Sequence, residues 1–176
     1  MKPHTLKIGV LGPYGAGKTT LVRTLSTIPA VSTEAPSSEG GKATTTVALD
    51  YGYLDFGSVG VHLFGTPGQA RFHDVLDVVL QGALGALILV RADRPSDLPR
   101  VRELRDYVAS VLEVPYLLGA THLDKERRWE PAEIALFLKE REDRVLRLDP
   151  RDSGQARRAL ARLVELVCEE GGVRCR

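Results

Sequence analysis

The sequence predicts an α/β fold built on one doubly wound, mostly parallel sheet of six strands. Short apolar runs typical of buried parallel strands alternate along the chain with segments of helical periodicity, the order that such a sheet requires. One pair of strand-like segments, residues 47–56 and 59–64, is separated only by Gly57 and Ser58. This short turn predicts a hairpin, so we expect one antiparallel strand at an edge of the sheet.

Local signals define the other elements. Four further strands are predicted from apolar runs, over residues 6–11, 83–90, 114–120 and 144–148. Helices are predicted over about 19–28, 72–80, 97–112, 131–139 and 153–170. Pro29 ends the first helix, Pro131 occupies a favoured first-turn position, and Gly171 follows the last helix. No internal repeat or linker divides the 176 residues, so we expect a single domain.

The composition argues against nucleic-acid binding and against a direct membrane anchor. Its 24 Lys and Arg residues are balanced by 23 Asp and Glu residues, for a net charge of +1. Residues 83–90 are too short to span a bilayer, and we expect neither a signal peptide nor a lipid anchor. Cys168 and Cys175 match neither a metal site nor a disulfide framework, so a reducing cytoplasm is expected.

Residues 12–19, Gly-Pro-Tyr-Gly-Ala-Gly-Lys-Thr, match the phosphate-loop pattern G-x-x-x-x-G-K-[ST] at every fixed position. They lie between a predicted strand and a predicted helix, as the motif requires. Glycines at 12, 15 and 17 allow backbone N–H groups to converge on one anion, to which the helix dipole adds. We expect Lys18 to reach the β- and γ-phosphates of a nucleotide and the Thr19 hydroxyl to bind Mg²⁺. The alternative is a plain glycine-rich turn.

Three irregular segments follow the phosphate loop at informative places. Residues 29–45 are rich in Ser, Thr, Pro, Gly and Glu, which predicts a long loop of the kind that is usually functional or disordered. This loop leads through Thr44, Thr45 and Thr46 into the predicted hairpin. Residues 65–69, Gly-Thr-Pro-Gly-Gln, end the hairpin, and residues 121–124, Thr-His-Leu-Asp, end the strand at 114–120.

Taken in order, these motifs resemble those of the small Ras-like GTPases, and the resemblance covers essentially the whole chain. Within that superfamily the chain is similar to the bacterial MglA-like branch, typically encoded beside roadblock-domain proteins and used in polarity and signalling. The resemblance implies a Ras-like P-loop NTPase domain that binds GTP and GDP with Mg²⁺ as a molecular switch. It also implies GTP hydrolysis that is slow or stimulated by a partner such as a roadblock-type protein. Switch I would span about residues 29–46 and switch II about 65–74.

The resemblance gives roles to residues of both switches. Thr46 is the favoured switch I ligand of Mg²⁺ and the γ-phosphate, the alternative being a β-branched lead-in to a strand. In switch II, Gly68 would contact the γ-phosphate and Gln69 would orient the attacking water. Gly65 stands where the family has an aspartate, so the metal site lacks one carboxylate. We expect either Asp50 or Asp93 to supply it through water.

Tyr14 stands where Ras-like proteins often have a small glycine, and its bulk would obstruct an arginine inserted by an activating protein. This favours an arginine supplied by the chain itself, and Arg71 is the candidate; the alternative is a solvated switch residue. The implied catalytic residues are therefore Lys18, Gln69 and Arg71. The implied metal ligands are Thr19, Thr46 and, through water, Asp50.

For base recognition the family uses Asn-Lys-x-Asp, and here Thr121 replaces Asn and His122 replaces Lys. Asp124 is retained and would favour guanine, while His122 would stack on the base or be merely solvated. Residues 148–152 stand where the family often has Ser-Ala-Lys, so backbone N–H groups near Pro150 and Arg151 would contact the base carbonyl. The predicted nucleotide-binding residues are Gly12, Tyr14, Gly15, Ala16, Gly17, Lys18, Thr19, Thr20, Thr46, Gly68, Thr121, His122, Asp124, Pro150 and Arg151.

Three other interpretations are compatible with the same residues. The missing switch II carboxylate would suit a nucleotide-binding scaffold or docking module that has lost hydrolysis. The replacements at Thr121 and His122 would suit relaxed or adenine-preferring specificity. A P-loop kinase acting on a small metabolite fits less well, because the sequence shows no arginine-rich lid and the hairpin suits a GTPase better.

Overall fold

The computed structural model describes residues 4–32, 49–57, 59–67 and 73–170. Strands and helices alternate in these ranges as the sequence predicts. The strands are β1 His4–Leu11, β2 Val31–Ser32, β3 Asp50–Phe56, β4 Val59–Gly65, β5 Gly85–Arg91, β6 Tyr116–Thr121 and β7 Val145–Arg147. The α-helices are α1 Lys18–Leu25, α2 His73–Leu80, α3 Leu98–Tyr107, α4 Pro131–Leu138 and α5 Ser153–Glu170.

The strands form one sheet in the order β2-β3-β4-β1-β5-β6-β7. β1 pairs in parallel with β4 and β5, and β6 pairs in parallel with β5 and β7. β3 is antiparallel to both β4 and β2. The predicted α/β class, the mostly parallel sheet and the hairpin are therefore confirmed.

The strand count differs from the prediction, because the described residues contain seven strands rather than six. The additional strand is β2, which lies inside the segment predicted to be a loop. It pairs Val31 with Tyr51 and Ser32 with Asp50, so it covers the first two residues of β3. Two residues are too few to show strand periodicity, which is why the sequence gives no sign of it.

Apolar side chains on the two faces of the sheet form two separate cores, as a doubly wound fold requires. Leu87 and Leu89 of β5 pack with α1 and α5 on one face, whereas Ala86, Ile88 and Val90 pack with α2, α3 and α4 on the other. β5 is therefore buried on both sides, which explains its continuous apolar sequence.

Two element boundaries differ from prediction for local reasons. α1 ends at Leu25 instead of reaching Ile28, because Ser26 leaves the helical conformation and its hydroxyl donates to the Ile28 carbonyl oxygen at 2.7 Å. The helix predicted over 97–112 is α-helical only to Tyr107 and continues as a π-turn, Val108–Leu112. The predicted start of α4 at Pro131 is confirmed.

Cys168 on α5 is disulfide-bonded, which corrects the expectation that the cysteines form no disulfide. Cys175 lies outside the described residues. Disulfides persist mainly in oxidising compartments, so cysteine usage no longer supports a reducing cytoplasm. Within the described part of the chain, no helix combines the length and the apolar character needed to cross a bilayer.

Candidate functional site

The loop that joins β1 to α1 follows a backbone path that requires glycine at two positions. Gly12 has a φ of 148° and Gly17 a φ of 102°, a region that other residues rarely adopt. A Cβ atom at Gly12 would lie 2.7 Å from the Leu89 carbonyl oxygen, and one at Gly17 would lie 2.7 Å from Pro150 Cγ. The loop is thus pressed against β5 on one side and against the 148–152 loop on the other.

Lys18, the first residue of α1, is folded back over this loop. Its ammonium group donates hydrogen bonds to the carbonyl oxygens of Gly12 at 2.9 Å and Pro13 at 2.8 Å, and only 8% of the residue is exposed. Burial lowers the pKa of Lys18 to about 8, and the negative charge of Asp50 opposes that shift. Since the N-terminus of α1 adds positive potential here, this corner of the molecule favours an anion.

The Thr19 hydroxyl and the Asp50 carboxylate are in contact beside the phosphate loop. Thr19 Oγ1 donates a hydrogen bond to Asp50 Oδ2 at 2.5 Å. Asp50 begins β3 and lies opposite Gly65, the last residue of β4. A Cβ atom on Gly65 would lie 3.0 Å from Asp50 Cβ and 3.2 Å from Asp50 Oδ2. The Asp50 side chain therefore occupies the space that a side chain at residue 65 would need.

Asp93, the other carboxylate considered at the sequence level, has a different partner. Its two oxygens accept hydrogen bonds from Arg91 Nε at 3.0 Å and Arg91 Nη2 at 2.7 Å. This bidentate pair lowers the pKa of Asp93. Of the two carboxylates, Asp50 is the one that contacts Thr19.

The Thr19 hydroxyl and the Asp50 carboxylate fit a hard divalent cation such as Mg²⁺, which prefers oxygen ligands. Among residues 4–32, 49–57, 59–67 and 73–170, no group of three or more His, Cys, Asp or Glu side chains could hold a metal ion. A cation at Thr19 and Asp50 would therefore need further oxygen ligands from water or from a phosphate group.

Thr121, at the end of β6, is fully buried and links three segments through its hydroxyl group. The hydroxyl oxygen lies 3.0 Å from the Ala16 carbonyl oxygen, 3.3 Å from that of Val90 and 2.9 Å from His122 Nδ1. One hydroxyl has a single proton but can also accept. The arrangement is best satisfied if Thr121 donates to Ala16 and accepts from a protonated Nδ1. Nδ1 then carries a proton, and in the neutral ring Nε2 does not.

His122 has a φ of 59°, a left-handed conformation that is uncommon outside glycine. Its pKa is lowered, first by burial and then by the positive charge of Arg91. Both causes favour the neutral ring at pH 7. His122 therefore differs from a lysine at the same position in carrying no fixed charge.

A cavity of about 440 Å³ lies between the phosphate loop and the ends of β6 and β7. It brings together seven of the predicted nucleotide-binding residues: Gly15, Gly17, Thr20, His122, Asp124, Pro150 and Arg151. Six further lining residues were not identified from the sequence: Leu123, Lys125, Arg147, Leu148, Asp149 and Gln155. Leu123, Lys125 and Asp149 adjoin a predicted residue in sequence, whereas Gln155, on α5, is brought to the cavity by the fold.

The backbone N–H groups of the 148–152 loop are already bonded within the protein, and their contact with a base carbonyl stays a prediction. Pro150 has no N–H, the N–H of Asp149 donates to Gln155 Oε1 at 3.0 Å, and that of Arg151 donates to Asp149 Oδ1 at 2.9 Å. The Arg151 guanidinium faces the cavity instead. It makes two 2.8 Å hydrogen bonds to the Asp149 carboxylate and lies 3.5 Å from Asp124 Oδ2.

Several predicted residues are not tested by the geometry. Thr46, Gly68, Gln69 and Arg71 lie outside the described residues. Tyr14 is 73% exposed at the surface of the phosphate loop, and its proposed obstruction of an incoming arginine stays a prediction.

We predict that Thr121→Val destabilises the protein by about 1–3 kcal/mol, because the variant leaves the Ala16 carbonyl and His122 without the hydroxyl partner. Thr20→Val makes the same chemical change at an exposed site on α1 and should alter stability by less than about 0.5 kcal/mol. Urea denaturation without added ligand measures both values. Equal effects of the two substitutions would contradict a linking role for Thr121.

Comparison with known proteins identifies the fold. No protein-family model matches the chain. An uncharacterized protein of Methanocaldococcus jannaschii is 35% identical over 97 residues, and the match covers 53% of this chain and 56% of that protein. This chain thus spans little more than half the length of the curated relative that it matches.

A solved structure with a similar fold is that of the Arl6 BBS3 small GTPase from Trypanosoma brucei, with bound nucleotide analogue GppNp. It superposes with a TM-score of 0.71 at 14% identity, and the match covers 94% of this chain and 98% of that one. The chain has the Ras-like P-loop fold of the small GTPases.

Proposed function

We propose that this chain is a nucleotide-dependent molecular switch that binds GTP and GDP with Mg²⁺. The observation that carries the proposal is the phosphate loop, in which buried Lys18 and the N-terminus of α1 adjoin a cavity lined by Asp124. The similar fold of a small GTPase with bound GppNp supports it. We further propose that residues 1–176 act as one G domain, with switch I at about 29–46 and switch II at about 65–74.

Guanine recognition is proposed to rest on side chains at the far end of the cavity. Asp124 can accept hydrogen bonds from the ring N–H and the amino group of guanine, which adenine does not present in that arrangement. Arg151, held by Asp149 beside Asp124, is a donor suited to the guanine carbonyl, whereas adenine has an amino group at that position. His122 would lie against the base. An adenine preference is the alternative outcome.

The metal site is proposed to use Thr19 and Asp50, together with Thr46 from switch I. Mg²⁺ held by these residues would neutralise negative charge on the phosphate groups of the nucleotide. Asp50 would take the place of the aspartate that Gly65 replaces, since its carboxylate fills the space above Gly65 and bonds to Thr19. Gly68, Gln69 and Arg71 keep their proposed roles in contacting the γ-phosphate, orienting water and stabilising charge.

Slow hydrolysis with partner stimulation is proposed from Tyr14 and Gly65. The proposed partner is a roadblock-type regulator or another activator, and the proposed location is the cytoplasm, without nucleic acid or a direct membrane anchor. The MglA-like branch remains the proposed subfamily. The subfamily and the partner follow from the resemblance of the motifs, whereas the expected lack of nucleic acid and of a membrane anchor follows from the balanced charge and the short apolar runs.

We predict tighter binding of GDP and a non-hydrolysable GTP analogue than of the matching adenine nucleotides, measured by calorimetry with Mg²⁺. Lys18→Ala should weaken binding about 10–100-fold, because a charge-assisted hydrogen bond to phosphate is lost. Lys7→Ala is the matched control: Lys7 lies on β1, where its ammonium bonds to the Gln81 carbonyl oxygen. Failure of the wild-type protein to bind any nucleoside triphosphate, or equal binding by Lys18→Ala, would overturn the proposal.

We predict that Asp50→Ala raises the Mg²⁺ concentration needed for half-maximal nucleotide binding about tenfold or more, because a carboxylate is removed from the metal site. Asp55→Ala, on the same strand but exposed and bonded to the Tyr53 hydroxyl, should leave it unchanged. The exchange Asp50→Gly with Gly65→Asp moves a carboxylate to the opposite strand and should recover part of the Mg²⁺ dependence. An unchanged Mg²⁺ requirement in Asp50→Ala would exclude this role.

A hydrolysis-deficient scaffold is the second candidate, favoured by Gly65 and by the engagement of Asp50 with Thr19. Phosphate release from GTP, measured with and without a roadblock-domain protein, distinguishes the scaffold from the switch. For a switch we expect slow release that the partner accelerates, and that Gln69→Leu abolishes while nucleotide binding is retained. Tight GTP binding with no phosphate release under either condition would favour the scaffold.

A further inference from the structure

Arg91 ends β5 next to the phosphate loop and is held in a fixed orientation. Its Nε and Nη2 atoms donate to the two oxygens of Asp93, at 3.0 Å and 2.7 Å, and both side chains are only 16% exposed. Two parallel hydrogen bonds fix the plane of a guanidinium group as well as its position. The direction of its third nitrogen, Nη1, is therefore set by Asp93.

Nη1 is directed at the phosphate loop. It lies 3.0 Å from the point where a Cβ atom on Gly15 would be, and Gly15 lines the cavity. The absence of a side chain at Gly15 is what permits this approach. Within the described residues Nη1 donates no hydrogen bond, although both of its protons are available.

Arg91 lies beside two residues that line the cavity, Gly15 and His122. At His122, which lines the cavity, the positive charge of Arg91 lowers the pKa more than Asp93 raises it. Burial, and after it the charge of Arg91, lowers the pKa of His122 and favours its neutral form. Arg91 thus adds a fixed positive charge beside Gly15 and His122, and it acts on His122 more strongly than Lys125, which lines the cavity.

Two arginines line the cavity itself, and their side chains are more exposed than that of Arg91. Arg151 is bonded to Asp149 and lies near Asp124, and Arg147 is bonded to Glu130 at 2.6 Å; both are more than half exposed. A charge exposed to water interacts more weakly with an anion than a charge in a protected site does. Arg91 is the more protected cation, since its side chain is largely buried.

We infer that Arg91 is a nucleotide-binding residue: it supplies positive charge and free N–H donors at the Gly15 side of the phosphate loop and thereby retains the bound nucleoside di- or triphosphate. Asp93 is its positioning residue. The inference rests on the proposed function, since it requires that this cavity bind a nucleotide. It explains how the site functions with a neutral histidine at residue 122.

The test compares dissociation rates of a fluorescent GDP analogue from the wild-type protein, Arg91→Gln, His122→Lys and the double variant Arg91→Gln/His122→Lys. Arg91→Gln should dissociate about tenfold faster, because a charged donor is replaced by a neutral one. The double variant places an ammonium group in the same corner and should return to within about threefold of the wild-type rate. Arg94→Gln, an exposed arginine three residues further on, is the matched control and should not change the rate.

Salt provides the second measurement. If Arg91 acts through its charge, the difference between wild-type protein and Arg91→Gln should shrink as ionic strength rises. A purely structural role would lower the melting temperature without nucleotide, would show no such salt dependence, and would not be rescued by His122→Lys; that pattern overturns the inference. If the wild-type protein binds no nucleotide, the proposed function fails. If it binds and Arg91→Gln behaves as wild type, only the role of Arg91 fails.

Discussion

The hydrogen bond from the Thr121 hydroxyl to the Ala16 carbonyl is the contact on which the geometry of the site depends. It ties the phosphate loop to the end of β6 at a fully buried position, where an unpaired carbonyl would cost free energy. The same side chain contacts His122, so the loop and the cavity wall are set by one residue. Threonine at residue 121 therefore links the two segments.

Steric packing explains why Asp50 stands opposite a glycine, Gly65, on the neighbouring strand. Asp50 and Gly65 are directly opposite in the β3–β4 ladder, and side chains on opposed residues of antiparallel strands share one small volume. With Asp50 present, a Cβ atom at residue 65 would be crowded at 3.0 Å, so glycine is the residue that fits. A carboxylate is thus present on the adjacent strand, directly beside Gly65. The two positions form one unit and should be considered together.

Much of the fold and part of the site could be predicted from sequence, because those features depend on local patterns. Alternating apolar runs predicted the sheet, and the glycine and lysine spacing predicted the loop that holds Lys18. Features that depend on cross-chain contacts could not be predicted: the two-residue strand β2, the contact of Asp50 with Gly65, and the approach of Arg91 to Gly15. The residues around Pro150 were assigned to base contact by analogy; Pro150 and Arg151 do line the cavity, but the hydrogen bonds of the N–H groups within their loop could not be predicted from the sequence.

Charge pairing around the cavity reconciles a nearly neutral chain with the proposed site for a polyanion. Each of Arg91, Arg147 and Arg151 is bonded to a carboxylate. These pairs therefore add oriented N–H donors to the region but little net charge. Lys18 differs from them, since among the described residues its ammonium is bonded to backbone carbonyls rather than to a carboxylate. An incoming phosphate can take over those hydrogen bonds without breaking an ion pair. The affinity of the proposed site for phosphate would depend on how firmly the phosphate loop is held in place. The close packing of Gly12 on Leu89 and of Gly17 on Pro150 holds it.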